Sequence, residues 1–317
     1  MESLTKNKQS IEVLTYMVKV QFNELCIRIE ELKEGWFNVA YKVTFQNGKE
    51  VILKIAPNPT VPVMTYEKNM MRSEVTFMRL AKSLGIPCPL VIYYDDTKRL
   101  CSADYFFMEK LEGHNLEHVR EQLPKDILKD IYQTVGKLTN TWNTPNNYPY
   151  FGYIQNPELQ GQTWKEAFHK MMNALISDGI KNNVDIGLPY EMIRDILKAF
   201  DYTLDEVQKP HFVHWDLWDS NIFIHQNKVS GILDFERGFY GDPLAEALFR
   251  MKNLDQLEGY GKTTFTEHES IRLALYDLYL YLVMVIEDSY RHYEIKDIYE
   301  YGKSQLKNTI ESLISKK

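Results

Sequence analysis

The 317-residue chain is poor in several features, each of which would have committed it to a class of protein. Its three cysteines, Cys26, Cys88 and Cys101, are odd in number and lack CxxC or metal-ligand spacing. Neither a disulfide framework nor a zinc site is expected, and a reducing cytoplasm fits best. No run approaches the ~18 apolar residues of a membrane span. The most apolar late stretch, 273–286, is broken by Asp277 and reads as a buried helix. Residues 1–10 are polar with no apolar run behind them, so no secretion signal is expected. Positive charge is also scarce. Lys and Arg (37) against Asp and Glu (44) leave a formal charge of -7, which opposes a phosphate backbone, and no nucleic-acid motif or basic stripe is present. Internal repeats, low-complexity tracts, a Walker A motif and a G-x-G-x-x-G loop are all missing. What remains is ordinary globular composition, 44% hydrophobic and 26% charged, with enough length for two domains or two lobes at ~150 residues each.

Periodicity and turn residues lay out the chain. A first helix is predicted over 11–22, then strands over 26–30, 39–46 and 50–56, the last two joined by Asn47-Gly48, a dipeptide suited to a tight hairpin. Pro57, Pro59 and Pro62 end this meander. An amphipathic helix over 66–84 follows, with Val75, Phe77 and Met78 inward and Gly85 as its stop, and then strands over 91–94 and 104–109. The first lobe, 1–110, is therefore an α+β unit with a five-stranded antiparallel sheet and one main helix. The second, 111–317, is larger and mainly helical, with segments at 125–141, 164–182, 190–207, 243–251, 267–286 and 295–315. A short hinge at 109–113 joins the two. One polar island, 211–235, interrupts the helices, with brief strands at 221–225 and 229–235.

That island carries the chemistry. It reads His214-Trp215-Asp216-Leu217-Trp218-Asp219-Ser220-Asn221, followed thirteen residues later by Asp234-Phe235, which fits H-x-D-L-x-x-x-N and D-F of the kinase catalytic and metal loops. An accidental match has odds on the order of one in ten thousand at ~5% per residue type. Phosphoryl transfer needs an oxygen base beside the attacking hydroxyl and a divalent metal to neutralise the triphosphate. Asp216 suits the base, and Asn221 and Asp234 supply the hard oxygen ligands that favour magnesium. His214 reads as a structural residue, because the pattern already contains a base.

Upstream, Val51-Ile52-Leu53-Lys54 lies on the third strand, where kinases carry V-A-I-K, and Glu74 follows on the predicted helix. A Lys54–Glu74 pair would hold the ammonium toward the α- and β-phosphates. Only Gly35, in Glu34-Gly35-Trp36-Phe37-Asn38, stands where a phosphate-covering loop belongs, and a hairpin turn explains it almost as well. Asp219 and Glu236 admit a reading as extra metal or substrate ligands. The plainer reading has Asp219 capping the next turn, Glu236 pairing with Arg237, and Asp242-Pro243 starting a helix.

With these residues in order, the chain resembles the aminoglycoside phosphotransferase and choline kinase superfamily, small-molecule relatives of the protein kinases. The matching pieces are Gly35, Lys54, Glu74, Tyr105-Phe106-Phe107-Met108-Glu109, His214 to Asn221, Asp234-Phe235-Glu236-Arg237 and Gly241-Asp242-Pro243. The resemblance implies a two-lobed protein-kinase-like fold with ATP in the cleft. Adenine would bond to backbone of the Met108, Glu109 and Leu111 hinge, and GTP stays open because backbone groups read either purine. It further implies a small hydroxyl substrate: an aminoglycoside-type antibiotic or a metabolite such as choline, homoserine or an amino sugar. Only six residues separate Asp234 from Gly241, and no A-P-E follows, which leaves no room for a peptide-docking segment. Trp215 stands where the family has glycine, and Trp218-Asp219-Ser220 replaces the commoner His-Pro-Gly, while Asp-Leu-Trp resembles fructosamine kinase-like members. Trp215 and Trp218 line the acceptor site or fill the core, with core the expectation for at least one. A nucleotide-binding pseudoenzyme acting as a switch is the alternative, and monomer and homodimer both stay open.

Overall fold

The computed structural model describes residues 3–144, 148–293 and 296–316. The N-terminal lobe begins with α1 (Ile11–Phe22). The Ser10 side chain caps it by accepting the Val13 N–H, and Asn23 in the left-handed conformation closes it. Strands β1 (Cys26–Leu32), β2 (Val39–Phe45) and β3 (Glu50–Ile55) follow, then α2 (Met70–Ser83), β4 (Val91–Asp95) and β5 (Tyr105–Glu109). The five strands form one antiparallel sheet, as the sequence predicts, in the order β1-β2-β3-β5-β4. At the β2–β3 turn Thr44 pairs with Glu50, the Gly48 N–H donates to the Phe45 carbonyl, and Gly48 has φ of +82° while Asn47 does not take a positive φ. The loop is therefore three residues long and closed by a left-handed glycine, which preserves the strand twist.

Side-chain alternation along β3 and β5 positions the chemistry. Val51, Leu53 and Ile55 of β3, with Tyr105 and Phe107 of β5, pack against Leu14, Met17 and Val18 of α1. Ile52, Phe106 and Met108 pack on the opposite face with Val75, Phe77 and Met78 of α2. Lys54 shares this second face. Helix α2 begins later than expected, because Thr65–Glu67 form a separate 3-10 turn and Asn69 at φ +59° interrupts the chain before Met70.

The second lobe contains β6 (His114–Asn115), α3 (Leu116–Val119), α4 (Lys125–Trp142), β7 (Phe151–Gly152), β8 (Gln160–Gly161), α5 (Trp164–Lys181) and α6 (Tyr190–Phe200). It continues with β9 (His211–Val213), β10 (Ile222–His225), β11 (Lys228–Ile232), β12 (Phe239–Gly241), α7 (Ala247–Met251), α8 (Leu254–Tyr260), α9 (Glu267–Arg291) and α10 (Asp297–Ile314). Two small sheets, β11-β10-β6 and β8-β7-β12-β9, frame the polar island. Several of their strands have two or three residues, too short to leave a periodic signal in sequence. The expected helix over 190–207 ends at Phe200 and tightens into a 3-10 segment, Asp201–Glu206. Residue 295, where the last helix was expected to start, lies outside the described residues. Helix α9 starts at a capping box between Thr266 and Glu269 and runs past the expected residue 286, which carries Glu287 and Arg291 into the interior. Phe77 of α2 stacks on Phe212 of β9 at 4.2 Å between ring centroids, joining the lobes. No helix among the described residues is long and apolar enough to cross a membrane.

Candidate active site

A cleft of about 790 Å³ separates the lobes, and its lining includes Gly35, Lys54, Glu74, Met108, Glu109, Leu111, Asp216, Asn221 and Asp234. The residues singled out in sequence thus converge on one cavity.

Lys54 is the centre of its inner end. Its ammonium donates to Glu74 Oε1 and Asp234 Oδ1, each at 2.7 Å, and lies 3.4 Å from Glu236 Oε2. Burial works against the charge on Lys54, yet Asp234, Glu74 and Glu236 together raise its pKa well above the ordinary value. Burial pushes Glu74 up to about 7. Burial, and then the charge of Asp234, push Glu236 up to about 8. Asp234 is only half-buried; desolvation opposes its charge, but Lys54 outweighs that and lowers its pKa. One ammonium faces three carboxylates, and oxygens of Glu74, Asp234 and Glu236 lie within 4.8 Å of one another. A carboxylate set this dense, holding more acid than its lysine neutralises, has the chemistry of a divalent-cation site. Asp234 reaches it from φ +66°, a left-handed turn directly after β11.

Glu236 departs from the sequence expectation. It does not pair with Arg237; it turns toward Lys54 and accepts from Asn38 Nδ2 at 2.6 Å. Arg237 points the other way, with Nη2 3.2 Å from Glu287 and Nε 3.6 Å from Asp216. Successive residues of the 3-10 turn Phe235–Arg237 project about 120° apart, so an ion pair between neighbours gives way to partners on different walls. Asp219 likewise does not cap its turn, because its carboxylate accepts from Arg120 and the Tyr132 hydroxyl, each at 3.0 Å.

The loop carrying Asp216 runs between β9 and β10. His214 Nε2 is bonded to the Leu233 carbonyl at 2.9 Å, tying this loop to the strand that delivers Asp234. The structural role expected of His214 is the one observed. Asn221 donates Nδ2 to the Asp216 carbonyl at 2.8 Å, which fixes its amide while its residue lines the cleft. Glu246 was not legible in the sequence. This buried carboxylate accepts the N–H groups of His214 (2.9 Å) and Trp215 (3.1 Å), the indole N–H of Trp142 (2.7 Å) and Asn143 Nδ2 (3.0 Å). Trp215 has φ +70° in the position where the resemblance expects glycine, a costly conformation for a bulky residue. Glu246 holds it there, assisted by Arg250, which donates to the Trp215 carbonyl. Trp215 is core; Trp218 is 40% exposed and lines the cleft.

At the outer end, a Cβ on Gly35 would lie 3.2 Å from the Asn38 carbonyl, so the turn is tight but not left-handed. Trp36 bridges it to the second lobe by an edge contact with Tyr293. The Glu109 carboxylate accepts the Leu90 N–H at 2.9 Å. Asp242 caps the turn at Pro243 by accepting the Leu244 N–H, as expected.

A thermostable mutant of aminoglycoside phosphotransferase APH(4)-Ia, crystallised with AMP-PNP and hygromycin B, superposes with a TM-score of 0.66, covering 94% of this chain and 98% of that one at 16% identity. A candidate fructosamine-3-kinase from Thermobifida fusca gives 0.69, covering 96% and 100%, also at 16% identity. At such identity these likenesses establish the two-lobed kinase-like fold. A subtelomeric hrmA-associated cluster protein of Aspergillus fumigatus is 31% identical over 116 residues, 36% of this chain, and the chain spans about a fifth (22%) of that protein's length. Residues 28–255 match the model of the phosphotransferase enzyme family (APH), and the chain belongs to that family.

Proposed function

We propose that the protein transfers the γ-phosphoryl group of ATP, with magnesium, to a hydroxyl of a small molecule in a reducing cytoplasm. The nucleotide lies against the lobe formed by residues 1–110 and the acceptor against 111–317. The observation that carries this reading is the Lys54 ammonium, held at 2.7 Å by both Glu74 and Asp234 in the cleft that also holds Asp216 and Asn221. In this reading Lys54 extends toward the α- and β-phosphates, and backbone of the segment from Met108 to Leu111 meets the purine. Gly35 keeps the turn before Phe37 close enough for main-chain contact with phosphate. A bound magnesium ion neutralises developing phosphate charge, and Asn221 and Asp234 would hold it, with Glu236 and Glu74 in the same carboxylate group. Asp216 accepts the proton of the attacking hydroxyl, and Arg237 orients its carboxylate from 3.6 Å. The complete set of Lys54, Glu74, Asp216, Asn221 and Asp234 supports catalysis over a nucleotide-gated scaffold.

The test is ADP release from Mg·ATP against a panel of aminoglycosides, macrolides, amino alcohols, hydroxy acids and sugars. A product that forms with wild type and not with Asp216→Asn supports transfer; ADP release indifferent to Asp216 refutes it. Asp234→Asn is expected to weaken ATP binding at least tenfold in the presence of magnesium and to change it little with EDTA, because the lost charge acts through the cation. Equal affinities for the two proteins in magnesium, measured by calorimetry, would remove Asp234 from the metal site.

A further inference from the structure

The part of the cleft beyond Asp216 has a different chemistry from the part around Lys54. It is walled by α7, α9, α10 and the two loops that carry Trp36 and Trp218. Trp36, Trp218, Met251 and Tyr301 are between 36% and 53% exposed there, and Leu280, Tyr281 and Met284 complete the wall. Large apolar side chains left in contact with water and gathered in one concavity mark a surface that an apolar ligand covers.

Its charges are as informative as its rings. Glu287 is the carboxylate of α9 in this wall, and it is already committed: Oε1 receives Arg237 at 3.2 Å, Arg291 at 2.9 Å and the Tyr293 hydroxyl at 3.1 Å. Arg250, in contrast, is half-buried and has no carboxylate within 4.0 Å among the described residues. It donates to the carbonyls of Ala245 and Trp215 at 2.6 and 2.7 Å, and its guanidinium lies over the Trp215 ring at 5.3 Å. Arg237 lies over the same ring at 5.6 Å. Two guanidinium groups therefore flank the residue next to Asp216. A polycationic amino sugar would meet Asp216 and, on the Trp36 loop, Glu34 as lining carboxylates, with Asp277 of α9 set toward Arg250 from beyond 4.0 Å; Arg237 is already paired, so Arg250 is the cation that opposes it here. The aromatic rings alone would accept an organic cation, but Arg250 opposes it.

We infer that the acceptor is an amphipathic alcohol with an apolar or aromatic body and an anionic group. The body lies against Trp218, Met251, Tyr281 and Tyr301, and the anion, a carboxylate in the simplest case, pairs with Arg250. This rests on the phosphotransfer reading above. The acceptor oxygen forms the new bond to the γ-phosphorus as the bond to the ADP oxygen breaks, and its proton passes to Asp216 and on to water. Arginine suits this role because its planar donors retain free N–H groups after two carbonyl bonds and match a carboxylate.

Calorimetry on the intact protein holding Mg·AMP-PNP tests it with matched probes: 3-phenyllactate, its neutral methyl ester, the amine phenylalaninol, and the polycation kanamycin. The acid is expected to bind at millimolar concentration or below and at least tenfold more tightly than the ester, with the amine and kanamycin weaker still. Arg250→Met should bring acid and ester level. Tyr301→Ala, at an exposed position where folding is not at risk, should weaken both by a similar factor. The inference is overturned if the amine or kanamycin binds as well as the acid, if the acid does not bind, or if folded Arg250→Met keeps the preference. It is equally overturned if Tyr301→Ala leaves both affinities unchanged. Failure of wild type to bind Mg·AMP-PNP refutes the phosphotransfer reading and this inference with it; loss of the acid preference with nucleotide bound refutes the inference alone.

Discussion

Replacing Asp216 by Asn is expected to lower turnover by about 10²–10⁴-fold, the range that general-base catalysis contributes, while ATP affinity changes less than about twofold. The reason is geometric. Asp216 stands apart from the Lys54 cluster, and its neighbours are Arg237 at 3.6 Å and the Asn221 amide on its own carbonyl. Asparagine keeps the shape and that backbone bond but accepts a proton far less readily than a carboxylate. The loss should therefore appear in kcat and in kcat/KM alike, as for an interaction made in the transition state. Steady-state kinetics with the best acceptor from the screen, together with calorimetric titration of ATP, separates the outcomes. Turnover within tenfold of wild type would take the base role from Asp216, and a parallel collapse of ATP affinity would place it in nucleotide binding instead.

Glu246→Ala is expected to cost about 4 kcal/mol or more of stability. The change strands four buried donors, the N–H groups of His214 and Trp215, the Trp142 indole and the Asn143 amide, at about 1–3 kcal/mol each with partial relief by water. For a chain of this size that amounts to a fall in melting temperature on the order of 10 °C. Activity should fall further than unfolding explains, because Trp215 at φ +70° loses the carboxylate that holds it and Asp216 is the next residue. Glu246→Gln retains two acceptor lone pairs and should recover part of the melting temperature. A melting temperature for Glu246→Ala within about 2 °C of wild type would mean that the loop is held by other contacts.

Much of the site was legible in sequence because it is local. Asp216 and Asn221 belong to one loop, and the amide bond between them spans five residues, so their spacing alone brings them together. Lys54 was legible from Val51-Ile52-Leu53-Lys54 on the third strand, where kinases carry V-A-I-K, and the structure puts it on the face opposite α1. The sheet followed from a period-two signal, whereas β6, β7 and β8 did not, since two residues carry no period.

The chain by itself determined which residues meet through connectivity and periodicity: the loop bearing Asp216 and Asn221, the lysine strand, and the α2 face bearing Glu74. Tertiary structure alone decided the partners that neither rule reaches. Glu236 could have paired with its neighbour Arg237, but the left-handed turn at Asp234 points it at Lys54, 182 residues away, and releases Arg237 to Asp216 and Glu287. Glu246 became the anchor of the loop bearing Asp216, and Arg250 became a cation bonded to two carbonyls, with Asp277 as its main opposing charge from beyond 4.0 Å. Both outcomes depend on where α7 is packed, because burial strengthens electrostatic pairing and penalises every group left without a partner.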